Sequence, residues 1–198
     1  CLVGSEMCIR DSSKIPGVEA VPGMGTKVPL YILGSSLFGA QLAAHLGLPY
    51  SFASHFAPAA LTQAVQVYRD NYQPSERHPE PYVIAAVNVT AADSQEEAEE
   101  QFRQVCRTRV RVMAGRGRSL TEEELDMLID SPAGQQILDM LRYSAVGTGD
   151  VVRRYLEEFR THAQADELMV SLQSPSTAES LRSMEILADA ASLSPAQR

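Results

Sequence analysis

The triplet Gly34-Ser35-Ser36 follows the apolar run VPLYIL at 28–33 and precedes a helical pattern. A glycine there lets the chain turn tightly from strand to helix. The next amides point outward at the helix start, where the helix dipole favours an anion. Two hydroxyls can add hydrogen bonds to phosphate oxygens, and no charged side chain is needed. Residue types alone leave a plainer alternative, a serine that only caps the helix. His55 lies in the corner Ser54-His55-Phe56 after a second strand pattern. It could donate a proton or hydrogen-bond a cofactor ring, or it could simply be satisfied by nearby backbone. The stretch from Asn88 to Asp93, after a third strand pattern, is the remaining place. One rule selects all three: in parallel α/β proteins, ligands gather at the carboxyl ends of the strands.

Other polar groups read as surface. His45 falls near a helix end, where a cation is favourable, and His78 and His162 sit among charged residues. The run Glu96, Glu97, Glu99 and Glu100 suits an exposed helix face, with Arg103 and Arg107 at pairing distance. Arg107, Arg109, Arg111, Arg116 and Arg118 form a basic cluster without an aromatic platform, which suggests a solvated face. Contact with a phosphate or an acidic partner is the alternative. Tyr31, Tyr50 and Phe52 are expected in strand cores. No dinucleotide fingerprint, P-loop, nucleophile elbow or metal-ligand spacing occurs.

The elements that must position these groups alternate. After VPLYIL, a helix through His45 carries Leu37, Phe38, Leu42 and Leu46 on one face, and Gly47 suits its left-handed cap. A strand at 49–54 follows, then a helix from Pro58 with Leu61, Ala64, Val65, Tyr68 and Tyr72 as its apolar stripe. A strand at 82–89 precedes Ser94 and Glu97, whose spacing opens a helix to about Met113. Thr121 and Glu124 repeat that spacing, and a further short helix is expected from Pro132 to Tyr143. Thr148 and Asp150 open a helix to about 163, followed by a strand at 166–172 and a helix at about 176–191. Four strand–helix units with a helical insertion at about 94–143 imply an α/β fold with a parallel sheet.

Composition narrows the classes. With 44% hydrophobic and 21% charged residues, the chain is globular rather than disordered. A net charge of −8 disfavours a nucleic-acid partner, and no apolar run is long enough for a membrane span. Three cysteines, at 1, 8 and 106, make no disulfide framework, so a cytoplasmic location is expected. The 198 residues are few for a parallel barrel, which takes about 250. Residues 1–12, CLVGSEMCIRDS, resemble translated sequencing-adapter read-through; a native flexible tail is the alternative. On that basis 1–13 are set aside as a tail, and 14–198 carry the fold.

Residues 28–58, VPLYILGSSLFGAQLAAHLGLPYSFASHFAP, resemble bacterial luciferase-like flavin-dependent monooxygenases, in particular the alkanal monooxygenase-like subgroup. The similarity continues through VNVTAADSQEEAEE at 87–100, VGTGDVVRRYLEEF at 146–159 and DELMVS at 166–171. The resemblance implies that 14–198 form the C-terminal half of a parallel TIM-type (β/α)-barrel, about four strand–helix units. It implies reduced FMN, in preference to a deazaflavin, acting with O2 on a small organic substrate. A separate flavin reductase and a homodimer of the full-length protein are further implied partners, with no metal, nucleic acid or membrane. The flavin phosphate would fall on Ser35 and Ser36, with Gly34 as the turn residue and Gly39 one turn into the helix. His55 would be a pocket residue. The family's N-terminal half has no counterpart here, so a non-catalytic flavin-binding relative and an inactive structural fragment are the alternatives.

Overall fold

A computed structural model describes residues 28–115 and 117–192. The expected tail at 1–13, the two cysteines in it, the Pro/Gly-rich stretch at 15–27 and Arg116 lie outside the described residues. Two units are distinguished, Cys1–Tyr31 and Ile32–Arg198. Of the first, only 28–31 are described, and they form no regular element. Every element below belongs to the second.

The order is β1 (Ile32–Gly34), α1 (Leu37–Leu46), β2 (Tyr50–Phe52), a short 3-10 turn (Pro58–Ala60) and α2 (Leu61–Asp70). Then come β3 (Val83–Ala91), α3 (Gln95–Gly115), α4 (Glu122–Asp130) and α5 (Pro132–Asp139). The chain closes with β4 (Ser144–Gly147), α6 (Gly149–His162), β5 (Glu167–Leu172) and α7 (Thr177–Ala190). All pairings are parallel: β1 with β2, β2 with β3, and β3 with both β4 and β5. β5 takes one edge of β3 along Ile84–Val89. On the other edge β2 pairs at Val83–Ala85 and β4 at Asn88–Ala91. The continuous wall is therefore β1-β2-β3-β5, with β4 as a short graft beyond the end of β2.

Alternation of side chains assigns the two faces. Val89, Ala91 and Ala145 pack with Val170 and Leu172 against Val152, Leu156, Ile186 and Leu187 of α6 and α7. Tyr50 and Val83, paired in register, lie on that same face. The Tyr50 ring meets Tyr68 of α2 at 5.4 Å, and its hydroxyl donates to the Ser36 carbonyl before α1. Among the described residues, α2, α6 and α7 thus pack on this one face. That is the wall of a parallel barrel rather than a doubly wound sheet, which carries helices on both. Leu33, Ser51, Ile84, Asn88, Met169 and Ser171 share the opposite face by register.

Several sequence expectations are corrected. The first strand is Ile32–Gly34, not 28–33, because Pro29 has no N–H for a ladder. Tyr31 is 45% exposed and outside the strand, while Tyr50 and Phe52 are fully buried. In α1 the buried residues are Gly39, Ala40, Ala43 and Ala44, and Phe38 is 72% exposed. Small side chains let this helix lie close to its neighbours, so hydrophobicity alone misreads the buried face. The helix expected through Tyr143 ends at Asp139, and Ser144–Gly147 is a strand. Gly47 caps α1 with φ 61° and ψ 39°, as expected, and an added Cβ would meet the Gln73 carbonyl at 2.4 Å.

Candidate functional site

At the carboxyl end of β1, Gly34 and Gly39 bring strand and helix into close approach. A Cβ on Gly39 would stand 3.3 Å from the Gly34 Cα and 3.5 Å from the Tyr50 ring. A Cβ on Gly34 would meet the Gly39 Cα and the Tyr50 hydroxyl at 3.4 Å each. The Tyr50 hydroxyl itself donates to the Ser36 carbonyl at 3.1 Å, which pins the turn. Burial pushes that phenol up to about 12, so it remains a donor at neutral pH.

Ser36 occupies the N-cap position with extended backbone, φ −146° and ψ 167°, yet its side chain makes no capping hydrogen bond. No acidic side chain stands in the first turn of α1. The cap positions Thr121, Ser131 and Ser176 of α4, α5 and α7 accept from a backbone N–H; Thr148 of α6, like Ser36, makes no capping bond, but Asp150 stands in its first turn. The Ser36 hydroxyl is unspent where the helix dipole is uncompensated. A small oxyanion, such as the phosphate of a flavin, fits this donor set of amides and hydroxyls.

The corner after β2 divides in role. Ser54 is fully buried and its hydroxyl donates to the Ala86 carbonyl, so it is spent on structure. His55 has a buried Nδ1 without a partner. Burial first, and the Arg109 charge second, hold its pKa below the ordinary 6.5, so the ring is neutral at neutral pH. Its carbonyl accepts from Asn88 Nδ2 at 2.9 Å. Asn88 is fully buried, and its Oδ1 has no partner. After β3, Asp93 pairs with Arg182 of α7 at 2.6 Å, which holds its carboxyl below the usual range and spends it.

Two clefts open at this end of the sheet. One, of about 530 Å³, is bordered by Ser35, Phe56, Pro58, Met113, Ile137 and Met140. The other, of about 420 Å³, is bordered by Val105, Arg109, Val112, Met113, Gln173 and Ser174. Met113 of α3 borders both, so the helical insertion forms a wall shared by the two. Among the described residues, no group of three or more His, Cys, Asp or Glu could hold a metal. No helix among them is long and apolar enough to cross a membrane.

Sequence reasoning grouped Arg109 with a solvated basic face. The structure separates the cluster. Arg107 and Arg111 pair with Glu122 of α4, and Arg107 also pairs with Asp126. Arg109 instead reaches the end of β5, where Nη2 donates to Gln173 Oε1 at 3.1 Å. The signal was present in the spacing: at 100° per residue, position 109 lies about 200° from both 107 and 111. Gln173 and Ser174 follow a strand and carried no motif.

The sequence profile of the family described as luciferase-like monooxygenase matches residues 10–166. A luciferase-like monooxygenase of Escherichia coli (strain K12) is 39% identical over 176 residues, 88% of this chain and 52% of that protein. The uncharacterized protein YddN of Bacillus subtilis (strain 168) is 38% identical over 183 residues, 90% of this chain and 53% of that protein. The chain spans about half the length of these relatives. The crystal structure of apo-MsnO8 superposes with a TM-score of 0.78 and 29% identity, covering 98% of this chain and 60% of that one. At 14% identity and a TM-score of 0.52, two further structures share the fold alone. One is the FMN complex of the oxygenating constituent of 3,6-diketocamphane monooxygenase from Pseudomonas putida, covering 89% of this chain and 50% of that one. The other is an F420-dependent secondary alcohol dehydrogenase, covering 87% and 52%. A family match over residues 10–166, with relatives 39% and 38% identical over most of its length, makes this chain a member of the luciferase-like monooxygenase family.

Proposed function

We propose that this chain carries the flavin-phosphate cradle of a flavin-dependent monooxygenase that acts with O2 on a small organic substrate. The observation that carries the reading is the Ser36 hydroxyl, unspent at the start of a helix whose first turn holds no carboxylate. FMN is the preferred cofactor; similarity in fold to both an FMN complex and an F420-dependent enzyme makes the deazaflavin the form to test against it. When bound, the reduced flavin supplies the electrons that activate O2.

The chain's own residues bind and orient. Ser35 and Ser36 offer hydroxyls and the helix-start amides to the phosphate, and Tyr50 fixes the carbonyl side of the same turn. Gly34 and Gly39 keep the cradle tight against the strand. Phe56, Pro58, Ile137 and Met140 give the adjoining cleft apolar walls that exclude water from a bound ring. His55 stays neutral, with its Nδ1 buried and unpartnered. A separate reductase as the source of reduced flavin, and a homodimer of the longer protein, belong to the same proposal.

Titration of FMN and riboflavin against the chain and its Ser36→Ala variant tests it. A hydrogen bond to a charged group contributes about 1.5–3 kcal/mol, so the variant should lose roughly ten-fold or more in FMN affinity. Riboflavin, lacking the phosphate, should be unaffected. Equal losses for both ligands, or none, would remove the cradle from Ser36. Oxygen uptake with reduced FMN then separates catalysis from flavin retention without turnover.

A further inference from the structure

Among the described residues, no carboxylate pairs with the cation in the second cleft. Three other arginines of α3, Arg103, Arg107 and Arg111, are paired with carboxylates. Arg109 makes one hydrogen bond, to the neutral amide oxygen of Gln173. Gln173 is itself held in place, because its Nε2 donates to Ser171 Oγ at 2.9 Å. The half-buried guanidinium is thereby aimed at the end of β5 with most of its N–H groups uncommitted. Beside it in the same cleft, the Ser174 hydroxyl is buried and has no partner. Polar groups placed so, without partners, are the pattern of a site that completes its hydrogen bonds with a ligand.

The cleft also states what kind of ligand. Fork-like donors of a guanidinium match the two oxygens of a carboxylate, and a hydroxyl can add a third bond. The remaining walls are mostly apolar, Val105, Val112, Met113 and Pro175 with the hydroxyl of Thr108 among them, and Val112 and Met113 are exposed by 69% and 45%. An occupant therefore has an anionic head and an apolar body. Ser35 borders the first cleft and Arg109 the second, and Met113 borders both, so the two heads lie in separate clefts. We propose that Arg109, supported by Gln173 and joined by Ser174, forms a subsite for the carboxylate of an amphipathic organic substrate. The proposal refines the substrate class of the monooxygenase reading above and rests on it for the word substrate; the binding itself does not depend on flavin.

Calorimetric titration of the full chain with octanoate and with its neutral isostere octanamide tests the assignment. Octanoate should bind at least ten-fold more tightly than octanamide. Arg109→Gln should bring the two within about three-fold, Arg109→Lys should keep part of the preference, and Ser174→Ala should weaken octanoate alone. Circular dichroism on each variant establishes that the fold is retained, and the lysine variant keeps a cation at the site should glutamine disturb it. Absence of a preference in the native chain, or its persistence in Arg109→Gln, overturns the proposal. The ratio of FMN to riboflavin affinity is measured on the same samples. A ratio that falls in Arg109→Gln would make the guanidinium a flavin-phosphate ligand and would also overturn it. If octanoate behaves as expected while no sample binds flavin, the flavin reading fails and the carboxylate subsite stands.

Discussion

His55 shows how neighbours set the state of a single side chain. Its Nδ1 is buried without a partner, and burial, then the nearby Arg109 charge, disfavour the imidazolium. The folded pKa thus lies below the unfolded value of about 6.5. As pH falls, the unfolded chain takes the proton first. The associated stability is therefore complete above about 6.5 and declines as pH drops toward the folded value. Removing the charge in Arg109→Gln should raise the His55 midpoint without returning it to 6.5, because burial is the larger cause. Following the ring protons by NMR across pH 4 to 8 reads this directly; a midpoint that Arg109→Gln leaves in place would break the link between the two groups. The serines teach a related point. Ser36 and Ser54 both end a strand–helix corner, and nothing in residue type distinguishes them. Only the structure shows that the Ala86 carbonyl consumes one hydroxyl while the other is free.

Elements were legible where local chemistry dictates them. The Thr121–Glu124 capping box forms in both directions, and Gly47 adopts the left-handed cap. Ser94 accepts from the Glu97 amide at 3.1 Å, as its spacing requires. Legibility failed where partners outside the segment decide. Ser144–Gly147 has four residues and becomes a strand only because β3 runs long enough to offer Asn88–Ala91. The buried stripe of α1 is set by how near β1 and α2 approach, which favours alanines over leucines. The insertion offers a quantitative case. α4 is held in two ways, by the Arg107 and Arg111 ion pairs to α3 and by the full burial of Leu125. Exposed ion pairs contribute about 0–1 kcal/mol, whereas a Leu→Ala cavity costs about 2–5 kcal/mol. Leu125→Ala should therefore release α4, with amide exchange in Glu122–Asp130 accelerating well beyond that of β3. Arg107→Ala should leave exchange nearly unchanged at moderate salt. The reverse ranking would show that the charges, not the leucine, fasten the insertion.

At the scale of the whole wall, four parallel strands leave two problems that helices do not solve. Among the described residues, β1 is paired only with β2 and β5 only with β3, so each presents an open row of backbone donors and acceptors. On the face away from those helices Ile84, Ala86 and Asn88 of β3 are buried, while the edge strands expose Leu33 by 68% and Met169 by 53%. Open edges recruit further strands, and an exposed apolar face recruits cover. A second copy answers both needs: β1 of each can meet β5 of the other about a two-fold axis, and four strands from each complete an eight-stranded parallel wall around the apolar face. The chain on its own should accordingly self-associate, with a dimer as its smallest species in light scattering across micromolar concentrations. Met169→Lys places a charge on the inward face, where burial without a partner is costly, and should shift the population toward monomer or toward loss of the cooperative melt. A native chain that is wholly monomeric and melts cooperatively would mean that its edges and inner face are satisfied within one copy.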